Sequence, residues 1–218
     1  RRITDAGYIE SWSPLVLVIV IVVTSMICSG LLAVVVERVA YRPLRGAPRL
    51  VPLISAIGIS FFLADAVRAF EAVTRNGIKL TYPITTIPSL STPITVQIGA
   101  APINIRITSI IVIVAAMLML VALNYFVNGT KLGRGIRAVS QDMSTASLMG
   151  INVNLMISLT FFVGGAFGGA AGSLFGLNVG TIDPFVGFIP GLKAFTAAVL
   201  GGIGNVTGAL LGGLMLGM

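Results

Sequence analysis

The chain has 218 residues, of which 56% are hydrophobic and only 10% charged; its mean hydropathy is +1.02 and its formal net charge +7. Soluble domains carry roughly 25% charged residues, so a water-covered globule is excluded. The positive excess is concentrated in short loops beside apolar runs, although the stretch over 68–106 also carries Arg68, Arg75, Lys79 and Arg106; this concentration argues for a membrane protein and against nucleic-acid binding.

A single cysteine, Cys28, lies in an apolar run and there is no histidine. An internal disulfide is therefore impossible, and neither a His/Cys metal site nor a bound cofactor is expected. The chain opens on Arg1 and stops at Met218 inside a glycine-rich helix pattern, which leads to the expectation that it is incomplete at both ends.

Pro14 to Val36 is free of charge and long enough to cross a hydrocarbon core of about 30 Å as a helix. Residues 37–49 carry Arg38, Arg42, Arg45 and Arg49 and read as a cytoplasmic loop under the positive-inside tendency. A return span is expected over 50–67, interrupted by Asp65. Residues 68–106 are more polar and contain Pro83, Pro88, Pro93 and Pro102. Alternation over 94–98 and 103–108 predicts a short β-hairpin there, in an external loop, turning near Gly99 to Pro102.

A third uncharged span is expected over 107–127, then a second basic cytoplasmic loop over 128–154 with Lys131, Arg134 and Arg137. A fourth span is expected over 155–177, followed by an outer turn with Asp183 and Pro184. The last block, 191–218, is broken by Gly201, Gly202, Gly204 and Asn205. This pattern predicts a broken helix or a re-entrant helix hairpin whose backbone must be satisfied by protein or water. The fold class that follows is an all-α integral membrane protein, a multi-span helical bundle forming one transmembrane domain over 1–218.

Glycine supplies the packing pattern. Gly164, Gly168, Gly172 and Gly176 recur every four residues, with Gly165, Gly169 and Ser173 on the adjoining row, and Gly204, Gly208 and Gly212 repeat the spacing. Small residues four apart share a helix face and let a second backbone approach. The seams serve packing, and the same seams would let helices move around a substrate path. Thr196 and Asn205 offer polar groups to such a path.

Within the second basic loop, Ala138, Asp142, Ala146 and Met149 fall at helical spacing, and Gly150 is a C-terminal stop. Leu148 and Met149 put apolar surface on a loop facing water. Such a helix needs a partner, or else rests as a basic connector on anionic headgroups. The sequence contains no G-x-x-x-x-G-K-[ST] loop, so nucleotide hydrolysis would fall to another subunit. With seven acids, no histidine and no acid–base pair in sight, no catalytic residues are assigned. The first, third and fourth expected spans hold no ionisable acid or base, which argues against proton coupling. Asp183 and Lys193 are placed to form an ion pair at the outer interface.

Four blocks, in order, carry a resemblance: Glu37-Arg38-Val39-Ala40-Tyr41-Arg42-Pro43-Leu44-Arg45; Leu53-Ile54-Ser55-Ala56-Ile57-Gly58-Ile59-Ser60; Gly133 through Asn152; and Gly191-Leu192-Lys193-Ala194-Phe195-Thr196-Ala197-Ala198-Val199-Leu200-Gly201-Gly202-Ile203-Gly204. Together they closely resemble the LivH-type permease subunits of bacterial branched-chain amino-acid ABC importers. The sequence departs from that family at Ala64-Asp65, where a glutamine usually follows Phe-Leu.

The resemblance implies a multi-pass subunit of the bacterial inner membrane that forms a heterodimer with a second permease subunit. It further implies two cytoplasmic ATPase subunits and delivery by a periplasmic substrate-binding protein. Gly133, Arg134, Arg137, Ala138, Asp142, Ala146, Leu148, Met149 and Gly150 then belong to the segment that docks on the ATPase. The helix over 138–149 would act as a rigid lever, steered by Arg134 and Arg137, with Asp142 available to a basic residue of the partner. Gly164, Gly168, Gly172, Gly176, Thr196, Gly201, Gly202, Gly204 and Asn205 would serve helix packing and the translocation path. A permease for urea, short amides or another small polar solute, or a passive channel or secondary transporter, is the alternative.

Overall fold

A computed structural model of the chain describes residues 14–48, 50–75, 82–83, 93–98, 101–202 and 204–217. It is mostly helical. In chain order the elements are α1 (Pro14–Val36), α2 (Leu50–Arg75), β1 (Tyr82–Pro83), β2 (Pro93–Ile98), β3 (Ala101–Arg106), α3 (Ile107–Gly129), α4 (Lys131–Gln141), α5 (Met143–Leu148), α6 (Val153–Val179), β4 (Thr181–Ile182), α7 (Phe188–Gly201) and α8 (Val206–Gly217). Among the described residues, three helical stretches are long and apolar enough to cross a membrane: Val16–Leu44, Thr108–Gly129 and Val153–Val179. Ile19, Leu31, Leu118 and Val121 are exposed on them, an apolar surface that water would not tolerate and lipid would.

The chain divides into two compact units, residues 1–42 with 84–180 and residues 43–83 with 181–218. In the first, α1 lies along α6. The approach is made by Gly165 and Gly169, where an added Cβ would stand 2.8 Å from the Ser29 carbonyl oxygen and 2.7 Å from the Ser29 Cβ. The Ser25 hydroxyl donates to the Gly169 carbonyl at 3.0 Å, and Gly30 seats the Phe162 ring. Among the described residues, a Cβ added at Gly164, Gly168 or Gly172 would meet nothing within 4 Å. Close packing of α1 thus uses the adjoining glycine row, because Ser25, Ser29 and Ala33 present a matching small face to it.

Residues 37–44, read from sequence as the start of a loop, continue the first helix instead. Glu37–Tyr41 form a π-helical turn in which the Arg42 amide donates to the Glu37 carbonyl, followed by a 3-10 turn at Arg42–Leu44. The wide turn swings Glu37 inward, where it is 1% exposed. The Ser158 hydroxyl donates to its Oε2 at 2.7 Å, and Tyr41 packs on Phe161 with ring centroids 5.1 Å apart. Strands β2 and β3 pair antiparallel, Pro93 opposite Arg106 and Ile98 opposite Ala101.

In the second unit, α2 runs to Arg75, beyond the end at 67 expected from hydropathy, so Arg68 and Glu71 lie in the helix and not in the loop that follows it, and Glu71 is buried. Pro52 and Pro190 sit in the first turns of α2 and α7, where a missing N–H breaks no helical bond. Strands β1 and β4 pair antiparallel, Tyr82 opposite Ile182. The helices α7 and α8 fold on each other with Gly201 against Gly208 and Gly212 under Ala197, each too close for a side chain. The turn between them is made by Gly202 and Gly204 at φ 91° and 94°, a region that suits glycine alone.

Candidate functional site

The segment from Thr130 to Asn152 is built from local capping, residue by residue. Thr130 ends α3 by donating to the Phe126 carbonyl at 2.6 Å and starts α4 by accepting from the Gly133 amide at 3.0 Å. The chain reverses so tightly that Gly133 lies against the backbone of Val127. Arg137 then reaches back over the end of α3, donating to the Val127 carbonyl at 2.7 Å and to Asn128 Oδ1 at 2.5 Å. A guanidinium there satisfies orphan carbonyls and meets the negative end of the helix dipole. Arg137 is therefore committed inside the fold, whereas Arg134 is exposed.

A single lever helix over 138–149 is not what forms. Asp142 adopts an extended conformation, φ −152° and ψ 113°, closing α4 and capping α5. Its Oδ1 accepts from the Ser144 and Thr145 amides at 2.8 and 3.3 Å and from the Ser144 hydroxyl at 2.6 Å, while Oδ2 accepts from the Thr145 hydroxyl at 2.5 Å. These four donors hold its carboxyl well below the usual carboxylate range, the side-chain hydroxyls contributing most. Aspartate prefers such a cap to a helix interior, which is why equal spacing along the sequence misleads at this position.

At the far end, the Gly150 amide donates to the Ser147 carbonyl and the Ile151 amide to the Ala146 carbonyl, at 3.0 and 3.1 Å. That pair of bonds, with Gly150 at φ 80°, is a Schellman stop. Asn152 immediately caps α6 by accepting from the Leu155 amide at 3.2 Å. Ala146 is 4% exposed and joins Val139 and Met156 in a small core, flanked by Ile136, Ala138, Ile151, Val153 and Ile157.

The arrangement separates the site residues into two sets, with Arg134, exposed on α4, outside both. Gly133, Arg137, Ala138, Asp142, Ala146 and Gly150 build the support. Leu148 and Met149, at 86% and 79% exposed, form an apolar tip on it. Ala146, which the helical spacing placed on the docking face, points the other way.

The residues expected on a translocation path are divided between the two units. Gly164, Gly168, Gly172 and Gly176 belong to the first unit, Thr196, Gly201, Gly202, Gly204 and Asn205 to the second. The Thr196 hydroxyl donates to carbonyls of its own helix, Leu192 and Lys193. Asn205 caps α8, accepting from the Gly208 amide and the Thr207 hydroxyl. Asp183 does not pair with Lys193; it accepts from the Phe185 amide at 2.8 Å and fixes the turn before α7.

Two features escaped sequence reasoning. One is the buried Glu37–Ser158 pair, hidden because Glu37 precedes a run of arginines and looks like part of a charged loop. The other is the α1 face that receives α6. Its signal was available, since Ser25, Ser29, Ala33 and Glu37 stand four apart.

Long apolar helices, two of them closely packed through glycine, with a capped helical tip on a basic connection, define the class of multi-pass helical membrane proteins. The chain belongs to the family described as the permease component of the branched-chain amino acid transport system, which it matches over residues 3–218. It is 42% identical over 197 residues to the high-affinity branched-chain amino acid transport system permease protein BraD of Pseudomonas aeruginosa, covering 89% of this chain and 61% of that one. It is also 42% identical over 185 residues to the corresponding permease protein LivH of Escherichia coli, covering 84% of this chain and 57% of that one. The chain thus spans about three fifths of the length of these relatives. No solved structure matches it.

Proposed function

We propose that this chain belongs to a permease subunit of an ATP-binding-cassette importer that carries branched-chain aliphatic amino acids into the bacterial cytoplasm. Family membership supports the permease role, and the names of the relatives support the substrate. The partners in this reading are a second permease subunit, two cytoplasmic ATPase subunits and a periplasmic binding protein, with the subunit seated in the inner membrane. Residues 37–49 and 128–154 face the cytoplasm because both carry arginines beside apolar helices. The β2–β3 hairpin faces the periplasm, and α7–α8 form a re-entrant pair.

The observation that carries the coupling role is the apolar tip of Leu148 and Met149, held out from a rigidly capped support. An ATPase groove would cover it. Because α5 is tied to the start of α6 through Ala146 and Met156, and α6 to α1 through glycine and Glu37, movement of the tip passes into the helices as a body. The lever is the knot of α4, α5 and the first turn of α6, not one continuous helix.

The test is purification of the full-length transporter carrying Leu148→Glu or Met149→Glu in mild detergent. The expected result is loss of bound ATPase and of ATP hydrolysis stimulated by leucine-loaded binding protein, with normal membrane insertion. Unchanged ATPase association and leucine uptake would overturn the reading.

A further inference from the structure

In the unit formed by residues 43–83 and 181–218, Phe61, Asp65 and Arg68 recur at i, i+4 and i+7 of α2 and so share one helix face. The guanidinium carbon of Arg68 lies 4.4 Å from the centroid of the Phe185 ring. Phe61 packs against Phe185 and Phe188 with centroids 6.1 and 5.4 Å away. That aromatic group is held by the Asp183 cap on the Phe185 amide, yet Phe61 and Phe188 remain 43% and 37% exposed.

The polar atoms are poorly satisfied. Among the described residues, Arg68 Nε is shielded from water and has no hydrogen-bond partner. Asp65 Oδ1 stands 3.9 Å from Arg68 Nη1, an ion-pair distance but beyond a hydrogen bond. A buried donor without an acceptor is costly and uncommon in folded proteins. The Phe185 ring covers one face of the guanidinium and Nε is shielded, so the partly exposed remainder of the side chain, its terminal Nη1 and Nη2 groups, is the part that can form paired bonds with a planar carboxylate. Asp65 beside it is exposed and repels a simple anion, so the complementary ligand carries a positive charge next to its negative one. The open rings add an apolar surface.

We propose that this face is a binding site for an aliphatic α-amino acid in its zwitterionic form. Arg68 receives the carboxylate, Asp65 the ammonium, and Phe61 and Phe188 the side chain. The inference rests on the import reading above and locates a substrate site within it.

The experiment uses the full-length transporter with its partner subunits in proteoliposomes and photo-leucine, the diazirine analogue of leucine, as probe. Label is expected in residues 50–75 or 183–188, displaced by leucine but not by leucinamide, which lacks the carboxylate. Arg68→Gln is expected to lower both labelling and leucine uptake about tenfold or more, the effect of losing a charge-assisted hydrogen bond, with Arg68→Lys intermediate. Failure of the unaltered complex to take up leucine would overturn the import reading and this site with it. Leucine uptake with label only elsewhere would overturn the site alone, as would displacement by leucinamide as effective as by leucine. If Arg68→Gln does not assemble, the position of the label in the unaltered protein decides.

Discussion

Ser158 of α6 donates its hydroxyl to the carboxylate of Glu37 at 2.7 Å, joining the end of the first helix to the first turns of α6 across 121 residues of sequence. The carboxylate is buried, so the bond is made where a lost partner cannot be replaced by water. Ser158→Ala is expected to cost about 1–3 kcal/mol of stability. Glu37→Gln, which keeps an acceptor oxygen, should cost less. Thermal unfolding of the full-length protein in detergent checks the order of the two variants.

The two glycine rows of α6 make opposite predictions. Gly165→Leu and Gly169→Leu force a side chain into the backbone of α1 and should lower stability by about 1–3 kcal/mol, as overpacking does. Gly168→Leu points into open space in this chain and should leave the α1–α6 pairing intact. A cysteine cross-link between α1 and α6, formed in Gly168→Leu and lost in Gly169→Leu, is the expected outcome.

Ala146→Arg and Leu148→Glu separate support from surface. The first buries a guanidinium among Val139 and Met156 and is expected to break the α4–α5–α6 knot, read as new protease cleavage between residues 131 and 152. The second leaves the cleavage pattern unchanged. Loss of ATPase binding in both, with altered cleavage only in Ala146→Arg, is the predicted pattern.

Asp142→Ala removes the cap of α5, and hydrogen exchange at the Ser144 and Thr145 amides should accelerate; Asp142→Asn should exchange more slowly than Asp142→Ala. The folded-state pKa of Asp142 is depressed. Its stabilising effect is therefore fully present above the ordinary carboxylate pKa and is lost only as pH falls through the depressed value. Exchange at these amides is expected to show no Asp142 transition between about pH 5 and 8, above the ordinary aspartate range.

The membrane character and helical class were legible because they depend on composition and on runs longer than a bilayer is thick. The stop at Gly150 was legible for a local reason: glycine's freedom at positive φ is a property of one residue. The break at Asp142 was not, since helical spacing from Ala138 to Met149 looks unbroken until the carboxylate finds the Ser144 and Thr145 donors. Ala146 and Leu148 are two residues apart and both apolar, the larger of them outside; only the presence of Met156 beneath Ala146 tells the buried from the exposed.

The sequence by itself determined that the chain is helical, apolar and punctuated by basic connections, because charge is expensive in lipid and unpaired backbone more so. Tertiary structure alone decided which glycine row meets α1, that Glu37 turns inward to Ser158, and that Arg137 caps α3 and does not project outward. Those outcomes depend on which face of one helix meets which face of another, and a hydropathy pattern with little polar contrast around the helix leaves that choice to packing.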